Sequence, residues 1–261
     1  MTSDRIAVFG GVYSNYLALD AVCRDARRRG AHTLYCLGDL GSFGPHPERV
    51  FPLLDSHRVV TIQGNYEVSL AARRDDCQCG YTDPRDNRFA RLAYEYTAEK
   101  TPEAAKDWMG SLPAALRKDF GHRSLLMAHG SPRKVNEFLW RSTSPAPFLR
   151  RLLDEARTEV LLVTHTGLPW HRRLPDGRHV VNVGVIGRPA NNGRTEVVYA
   201  LLTEGEELDV EWSWVAYDHR RLAREMEEER IPKEFVETIL TGWWTTCLEI
   251  LPAKERAEGR F

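Results

Sequence analysis

Four side chains that could bind a metal ion follow predicted strands. They are Asp39, Asn65, His129 and His165, and each has a glycine beside it or close to it. Each residue type alone is more often structural, but the carboxyl ends of strands in a layered α/β fold converge on one edge of the sheet. One carboxylate, one amide oxygen and two imidazoles suit a borderline divalent cation such as Mn, Fe, Zn or Ni. The sequence therefore predicts a metal site built from these four residues.

The apolar pattern predicts the elements that position these side chains. Strands are predicted at residues 6–9, 32–37, 58–62, 114–118, 124–127, 160–163, 179–183, 195–202 and 208–215. Helices are predicted at residues 15–29, 47–57, 86–99, 102–111, 146–156, 218–229 and 233–240. Strands and helices alternate at the start of the chain, which favours an α/β sheet. From their helical spacing we expect Phe89, Leu92, Ala93, Tyr96 and Trp108 to lie in the core.

Composition is that of an ordinary globular protein. Of the 261 residues, 42% are apolar and 28% are charged, so the chain can bury a full core. The 36 basic and 37 acidic residues give a net charge of -1, which argues against nucleic acid and an anionic membrane as partners. No apolar run approaches the ~20 residues of a membrane helix. Because the N-terminus lacks a signal-peptide pattern and the five cysteines show no disulfide framework, we expect a cytoplasmic protein.

A polar segment at residues 73–84 contains Cys77 and Cys79. Their spacing is too tight for the C-x-x-C pattern of structural zinc, and no second pair of Cys or His follows closely. We interpret the segment as a surface loop. Its density of Cys, Asp and Tyr leaves open the alternative that it overhangs a functional site.

The ordered motifs resemble those of the calcineurin-like metallophosphoesterases, in particular the small bacterial branch. The residues that match are Gly38-Asp39, Gly64-Asn65, His129-Gly130 and His165, with lesser signatures at residues 43–45, 182–189 and 215–218. The resemblance covers about residues 5 to 245 and implies an α/β fold: a four-layer α-β-β-α sandwich, with two mixed sheets flanked by helices. We expect a single domain over residues 1–261, with a helical and loop insertion at about 73–112 and a helical tail at about 218–261.

Departures from the family motifs remove one of its two metal sites. The resemblance implies a bridging carboxylate at Asp39 and one intact site completed by Asn65, His129 and His165. The other site loses its Asp and two His ligands, which are replaced by Gly11, Tyr13 and Gly167. We therefore expect one divalent transition metal and no second ion. Because Gly11 and Gly167 are small, we also expect room for a ligand where the second ion is missing.

The acid-base group of the family changes as well, since its His is replaced by Tyr66. An unperturbed tyrosine has a pKa near ~10 and is a poorer acid than His at neutral pH. We expect Tyr66 and Tyr13 to be the candidate catalytic residues, with weak or no ordinary two-metal activity. Asn15, Arg133 and Arg188 are candidates for binding substrate, while His46 and His171 are weaker alternatives as metal ligands.

Three functions remain open. The first is a phosphoesterase that uses one metal ion and acts on a specialised phosphorylated small molecule or nucleotide. The second is an inactive relative that binds a metal, a nucleotide or a protein partner. The third is an unrelated metal-dependent reaction on the same scaffold. The sequence does not predict the oligomeric state.

Overall fold

The computed structural model describes residues 4–259. In that range the strands are β1 (Arg5–Phe9), β2 (Thr33–Cys36), β3 (Val59–Thr61), β4 (Ala115–Phe120), β5 (Arg123–Ala128), β6 (Val160–Val163), β7 (Trp170–Arg173), β8 (His179–Asn182), β9 (Val197–Thr203) and β10 (Asp209–Val215). The helices are α1 (Tyr16–Arg28), α2 (Val50–Ser56), α3 (Asn65–Ala71), α4 (Pro84–Lys100), α5 (Glu103–Ser111), α6 (Ala146–Ala156), α7 (His219–Glu228), α8 (Lys233–Thr241) and α9 (Ala253–Glu258). A 3₁₀ turn, Pro47–Arg49, precedes α2.

Two mixed five-stranded sheets form the centre of the molecule, with strand orders β10-β9-β1-β2-β3 and β4-β5-β6-β8-β7. In the first sheet β1, β2 and β3 are parallel, and β9 and β10 add antiparallel strands. In the second, β5, β6 and β8 are parallel, and β4 and β7 form antiparallel edges. The strand register pairs Ile6 with Thr33 and Val160 with His179. This architecture confirms the predicted four-layer sandwich.

Side-chain alternation explains why both faces of each sheet are covered. Ile6 and Val8 of β1 belong to the apolar cluster between the sheets, together with Leu162 of β6. Ala7 and Phe9 point the other way and pack in the cluster that contains α1. Because successive strand residues face opposite sides, a strand that is apolar throughout must be buried on both faces.

The C-terminal segment packs against α4 and Trp140. Leu222 of α7 and Phe235 of α8 pack against Phe89 of α4. Trp244 follows α8, is 3% exposed and packs in a cluster with Trp140. No helix among residues 4–259 is long and apolar enough to cross a membrane.

Several local predictions need correction. Strand β7 and helices α3 and α9 were not predicted, because each spans seven residues or fewer and carries a weak periodic pattern. Leu92 and Trp108 were expected in the core but are 38% and 39% exposed. Cys77 and Cys79 form a disulfide, although the sequence showed no disulfide framework.

Candidate metal centre

Asp39 lies in the turn after β2, in close contact with the turn after β3. Its backbone is left-handed, with φ 58°, and Gly38 before it has φ 86°. A Cβ on Gly38 would lie 2.2 Å from the backbone nitrogen of Gly64. Glycine is therefore required at position 38 so that the two turns can touch. The contact brings Asn65, the first residue of α3, to the side of Asp39.

Glu67 holds these two turns together, a role that the sequence did not reveal. Its buried carboxylate accepts backbone N–H groups of Asp39 (2.7 Å), Leu40 (2.9 Å) and Gly64 (2.7 Å). The only sequence signal for it is an acidic residue two positions after Asn65.

The carboxylate and the two imidazoles converge on one point. His129 follows β5 and His165 follows β6, and both are at most 8% exposed. The Nε2 atom of His129 lies 3.2 Å from Oδ2 of Asp39 and 3.1 Å from Nδ1 of His165. One potential ligand atom from each residue lies within 4.8 Å of the others.

Backbone carbonyls determine which ring nitrogens carry protons. Nδ1 of His129 lies 2.6 Å from the carbonyl of Leu37, and Nε2 of His165 lies 3.2 Å from the carbonyl of Cys79. A carbonyl only accepts, so these nitrogens donate, and neutral rings present lone pairs on the facing nitrogens. Two lone pairs and a carboxylate at these distances repel one another unless a proton on Nε2 of His129 or a metal cation lies among them.

Asn65 provides a fourth donor atom. Its side-chain nitrogen donates to the carbonyl of Cys77 at 2.8 Å, whereas its buried Oδ1 has no hydrogen-bond partner in the described structure. A buried acceptor without a partner costs about 1–3 kcal/mol. Asp39, Asn65 and His165 line one cavity of about 10 Å³, which is room for about one water molecule or ion. These residues therefore fit a metal ion.

Charges within the site shift the pKa values of its members. Burial alone would raise the pKa of Asp39, but His129, His165 and the backbone N–H of Tyr66 together lower it. Burial likewise opposes protonation of His129, yet the Asp39 carboxylate raises the pKa of His129. Burial, assisted by His129, lowers the pKa of His165 to about 3. His165 is therefore neutral at physiological pH, as a metal ligand must be.

The opposite side of Asp39 is filled, which corrects the expectation of an open space there. A Cβ on Gly11 would lie 2.4 Å from Val185 and 2.8 Å from the Tyr13 ring. A Cβ on Gly167 would lie 3.0 Å from the Trp244 ring. In this closed arrangement the small residues therefore leave no open space, because neighbouring side chains occupy it.

The predicted catalytic tyrosines are both buried. Tyr13 and Tyr66 line the same cavity as Asp39, and the backbone N–H of Tyr66 donates to Oδ1 of Asp39 at 3.1 Å. Burial raises the pKa of both hydroxyls above the usual tyrosine range. Both hydroxyls therefore stay protonated at neutral pH, so they can donate or accept hydrogen bonds but cannot act as bases.

The three candidate substrate residues lie in different environments. Asn15 caps α1 by accepting the N–H of Ala18 at 3.0 Å, and its amide donates to the carbonyl of Gly187. Arg133 is partly exposed and forms an ion pair with Glu137. Arg188 is buried beside Tyr13.

The two weaker candidate ligands lie away from the four predicted metal ligands. His46 lies 3.6 Å from Glu48. His171 on β7 lies 2.9 Å from His179 on β8.

The loop at residues 73–84 lies over the metal centre. Its carbonyls at Cys77 and Cys79 accept from Asn65 and His165, and Tyr81 lines the cavity. The amide of Asn136 fastens the loop from the other side through the carbonyl of Gln78 at 2.6 Å. The alternative that this segment overhangs a site therefore describes the structure better than a free surface loop.

Comparisons with known proteins agree with this architecture. Residues 5–206 match the family model of the calcineurin-like phosphoesterase superfamily domain, and the chain belongs to this family. An uncharacterized protein of Methanocaldococcus jannaschii is 21% identical over 256 residues, covering 93% of this chain and all of that one.

Two solved structures share the fold. A hypothetical protein from Pyrococcus horikoshii superposes with a TM-score of 0.77 at 23% identity, covering 94% of this chain and 100% of that one. A metallophosphoesterase from Sphaerobacter thermophilus gives a TM-score of 0.71, also at 23% identity, covering 92% of this chain and 100% of that one.

Proposed function

We propose that this protein is a phosphoric ester hydrolase that works with one divalent transition metal ion, held by Asp39, Asn65, His129 and His165. The observation that carries the proposal is the set of converging donors: two imidazole lone pairs, a carboxylate and an unpartnered amide oxygen. When bound, such an ion acts as a Lewis acid toward phosphoryl oxygens and lowers the pKa of water.

The remaining residues of the site would bind substrate and donate protons. Tyr13 and Tyr66 remain neutral, and their hydroxyls can donate to a phosphoryl or leaving-group oxygen. Arg188 is the substrate candidate beside Tyr13, whereas Asn15 and Arg133 are already engaged elsewhere. A weak acid without a second ion favours slow hydrolysis of a specialised phosphorylated small molecule or nucleotide.

The closed cavity favours a second candidate function, a relative that binds a ligand without turning it over. A volume of about 10 Å³ cannot hold a phosphate ester, so substrate access requires the loop at 73–84 to move. If the loop stays closed, a metal or protein partner is the remaining kind of ligand. We place either function in a single cytoplasmic domain, with the helices at 73–112 as an insertion and those at 218–261 as a tail.

Hydrolysis assays separate the two functions. Aryl phosphate monoesters and diesters would be offered with Mn, to protein with the Cys77–Cys79 disulfide intact and to protein treated with a dithiol reductant. A metal-dependent turnover that His129→Ala abolishes and His171→Ala leaves intact supports the hydrolase. Absence of turnover in both redox states, with the metal bound, would establish the non-catalytic relative.

A further inference from the structure

Arg188 carries a buried charge without a polar partner. The residue is 5% exposed, its Nε is buried without a hydrogen-bond partner, and no carboxylate among residues 4–259 forms an ion pair with its guanidinium. The other buried arginine behaves differently, because Arg123 donates to the carbonyls of Gly205 and Glu206. Burial of a charge without hydrogen-bond partners is costly, so the lack of a partner at Arg188 requires an explanation.

Aromatic rings surround this guanidinium and offset part of the cost. Its central carbon lies 3.5 Å from the ring centroid of Trp244, 4.8 Å from that of Phe43 and 5.9 Å from that of Tyr13. Such cation–π contacts stabilise a guanidinium that has been removed from water. Rings contact the face of a guanidinium, however, and they leave the N–H groups along its edge without acceptors.

The position of Arg188 coincides with the region where the family ligands are missing. A Cβ on Gly167 would lie 3.5 Å from Nη2 of Arg188, and a Cβ on Gly11 would meet the Tyr13 ring that the guanidinium approaches. All three altered positions therefore converge on one permanently charged group. Trp244 is held in place by its own bonds to the Pro189 carbonyl (2.6 Å) and the Asn191 side chain (2.8 Å).

We propose that Arg188 supplies a positive charge where the resemblance implies a second metal ion and, once the loop at 73–84 has moved, binds a phosphoryl oxyanion through N–H groups that have no acceptor among the described residues. The inference rests on the proposed function in one respect, namely that the ligand is a phosphate group. A guanidinium suits this task because its planar donors bind two oxygens of a phosphate at once. Its fixed charge also opposes a second metal ion beside it.

Binding of inorganic phosphate to the metal-loaded protein tests the inference. Isothermal titration, with the disulfide intact and after reduction, would compare the wild type with Arg188→Gln and Arg188→Lys. We expect Arg188→Gln to weaken phosphate binding at least 10-fold and Arg188→Lys to weaken it less. Arg194→Gln is the matched control: this exposed arginine stacks on Trp214, and its loss should leave phosphate affinity unchanged.

Metal binding, measured in the same preparations, shows whether a negative result concerns the role of Arg188 or the proposed hydrolase function. If the variants keep one bound ion and Arg188→Gln keeps wild-type phosphate affinity, the role of Arg188 is overturned while the metal site stands. Absence of phosphate binding to the wild type in both redox states overturns it equally. If the wild type binds no metal, the proposed hydrolase fails, and phosphate titration of the metal-free protein still tests Arg188. Should Arg188→Gln fail to fold, Arg188→Lys decides, because affinity equal to the wild type would show that bidentate geometry is irrelevant.

Discussion

The two sides of Asp39 are formed by neighbouring loops but differ in what they contain. We call the side with His129, His165 and Asn65 the donor side, and the side with Arg188 and its aromatic neighbours the filled side. On one side, ligand atoms of His129 and His165 converge on Asp39, and the buried Oδ1 of Asn65 has no hydrogen-bond partner among residues 4–259. On the other side, aromatic rings and the Arg188 guanidinium fill the space. On the side of His129 and His165 a cation would offset the repulsion between the ligand atoms. The opposite side already contains a cation, the Arg188 guanidinium. Neighbouring side chains therefore fill the positions at which the resemblance implies that three ligands are missing.

Removal of a donor from the first side should have the largest effect. We expect His129→Ala to reduce affinity for Mn or Zn by more than about 100-fold, since even residues that merely orient ligands are worth ~10–100-fold. Competition against a chromophoric chelator measures the change. His171→Ala is the matched control, because this histidine contacts His179 and not the predicted ligands. Retention of tight binding by His129→Ala would refute the assignment of the donor side.

Glu67→Gln should have the next largest effect, through positioning alone. One carboxylate oxygen becomes an amide N–H that faces a backbone donor, either Leu40 or the pair Asp39 and Gly64. We expect a loss of ~1–3 kcal/mol in the free energy of unfolding and ~10–100-fold lower metal affinity. Chemical denaturation of the metal-free protein and metal titration measure the two losses separately. An unchanged metal affinity would show that the turns hold their shape without this carboxylate.

A methyl group on the filled side tests how tightly it is packed. Gly167 and Gly177 have nearly the same left-handed backbone, with φ 79° and 84°. Gly167→Ala would contact Trp244 at 3.0 Å, whereas Gly177→Ala would contact nothing within 4 Å. Both pay ~1–2 kcal/mol for the backbone conformation, and Gly167→Ala should lose a further ~1 kcal/mol or more from overpacking. Equal losses in chemical denaturation would mean that Trp244 moves aside easily.

A second pair of histidines, His171 and His179, can be compared with His129 and His165. Burial, followed by the charge of His171, lowers the pKa of His179 to about 4. Because this value lies below the unfolded value near ~6.5, the unfolded state binds more protons, and stability is lost as the pH falls from about 6.5 toward 4. We expect a loss of ~1–2 kcal/mol by pH 5.

Denaturation of the wild type and His171→Ala across this pH range measures the contribution of the pair, because the pKa of His171 is itself lowered by burial and its titration is removed as well. The slope should be smaller in His171→Ala, because one cause of the lowered pKa is gone. An identical slope would contradict this expectation. The pair differs from His129 and His165 in lacking a neighbouring Asp39, so two close imidazoles alone do not make a metal site.

The sequence predicted the donor side better than the filled side for a physical reason. Asp39, His129 and His165 each follow an apolar strand, and the geometry of parallel strands brings such positions together. Trp244 reaches Gly167 across 77 positions of chain, and no local pattern encodes that contact. Long-range packing of this kind decides whether a small residue creates space or merely accommodates a neighbour.

Glu67 was missed, and the position of the Cys77–Cys79 loop over the site was left as an alternative, for a related reason. The Glu67 side chain accepts hydrogen bonds from the backbone of a turn 27 and 28 positions away, and backbone donors leave no trace in residue types. The loop was interpreted from the polarity of its side chains, whereas its hydrogen bonds with Asn65 and His165 are made by backbone carbonyls.

The number of metal ions bound per chain tests the contrast between the two sides most directly. Elemental analysis of protein equilibrated with excess Mn or Zn and then desalted should give one ion per chain. Titration of the metal-free protein should give the same stoichiometry. Two tightly bound ions per chain would contradict the proposal that Arg188 and its aromatic neighbours take the place of the second ion.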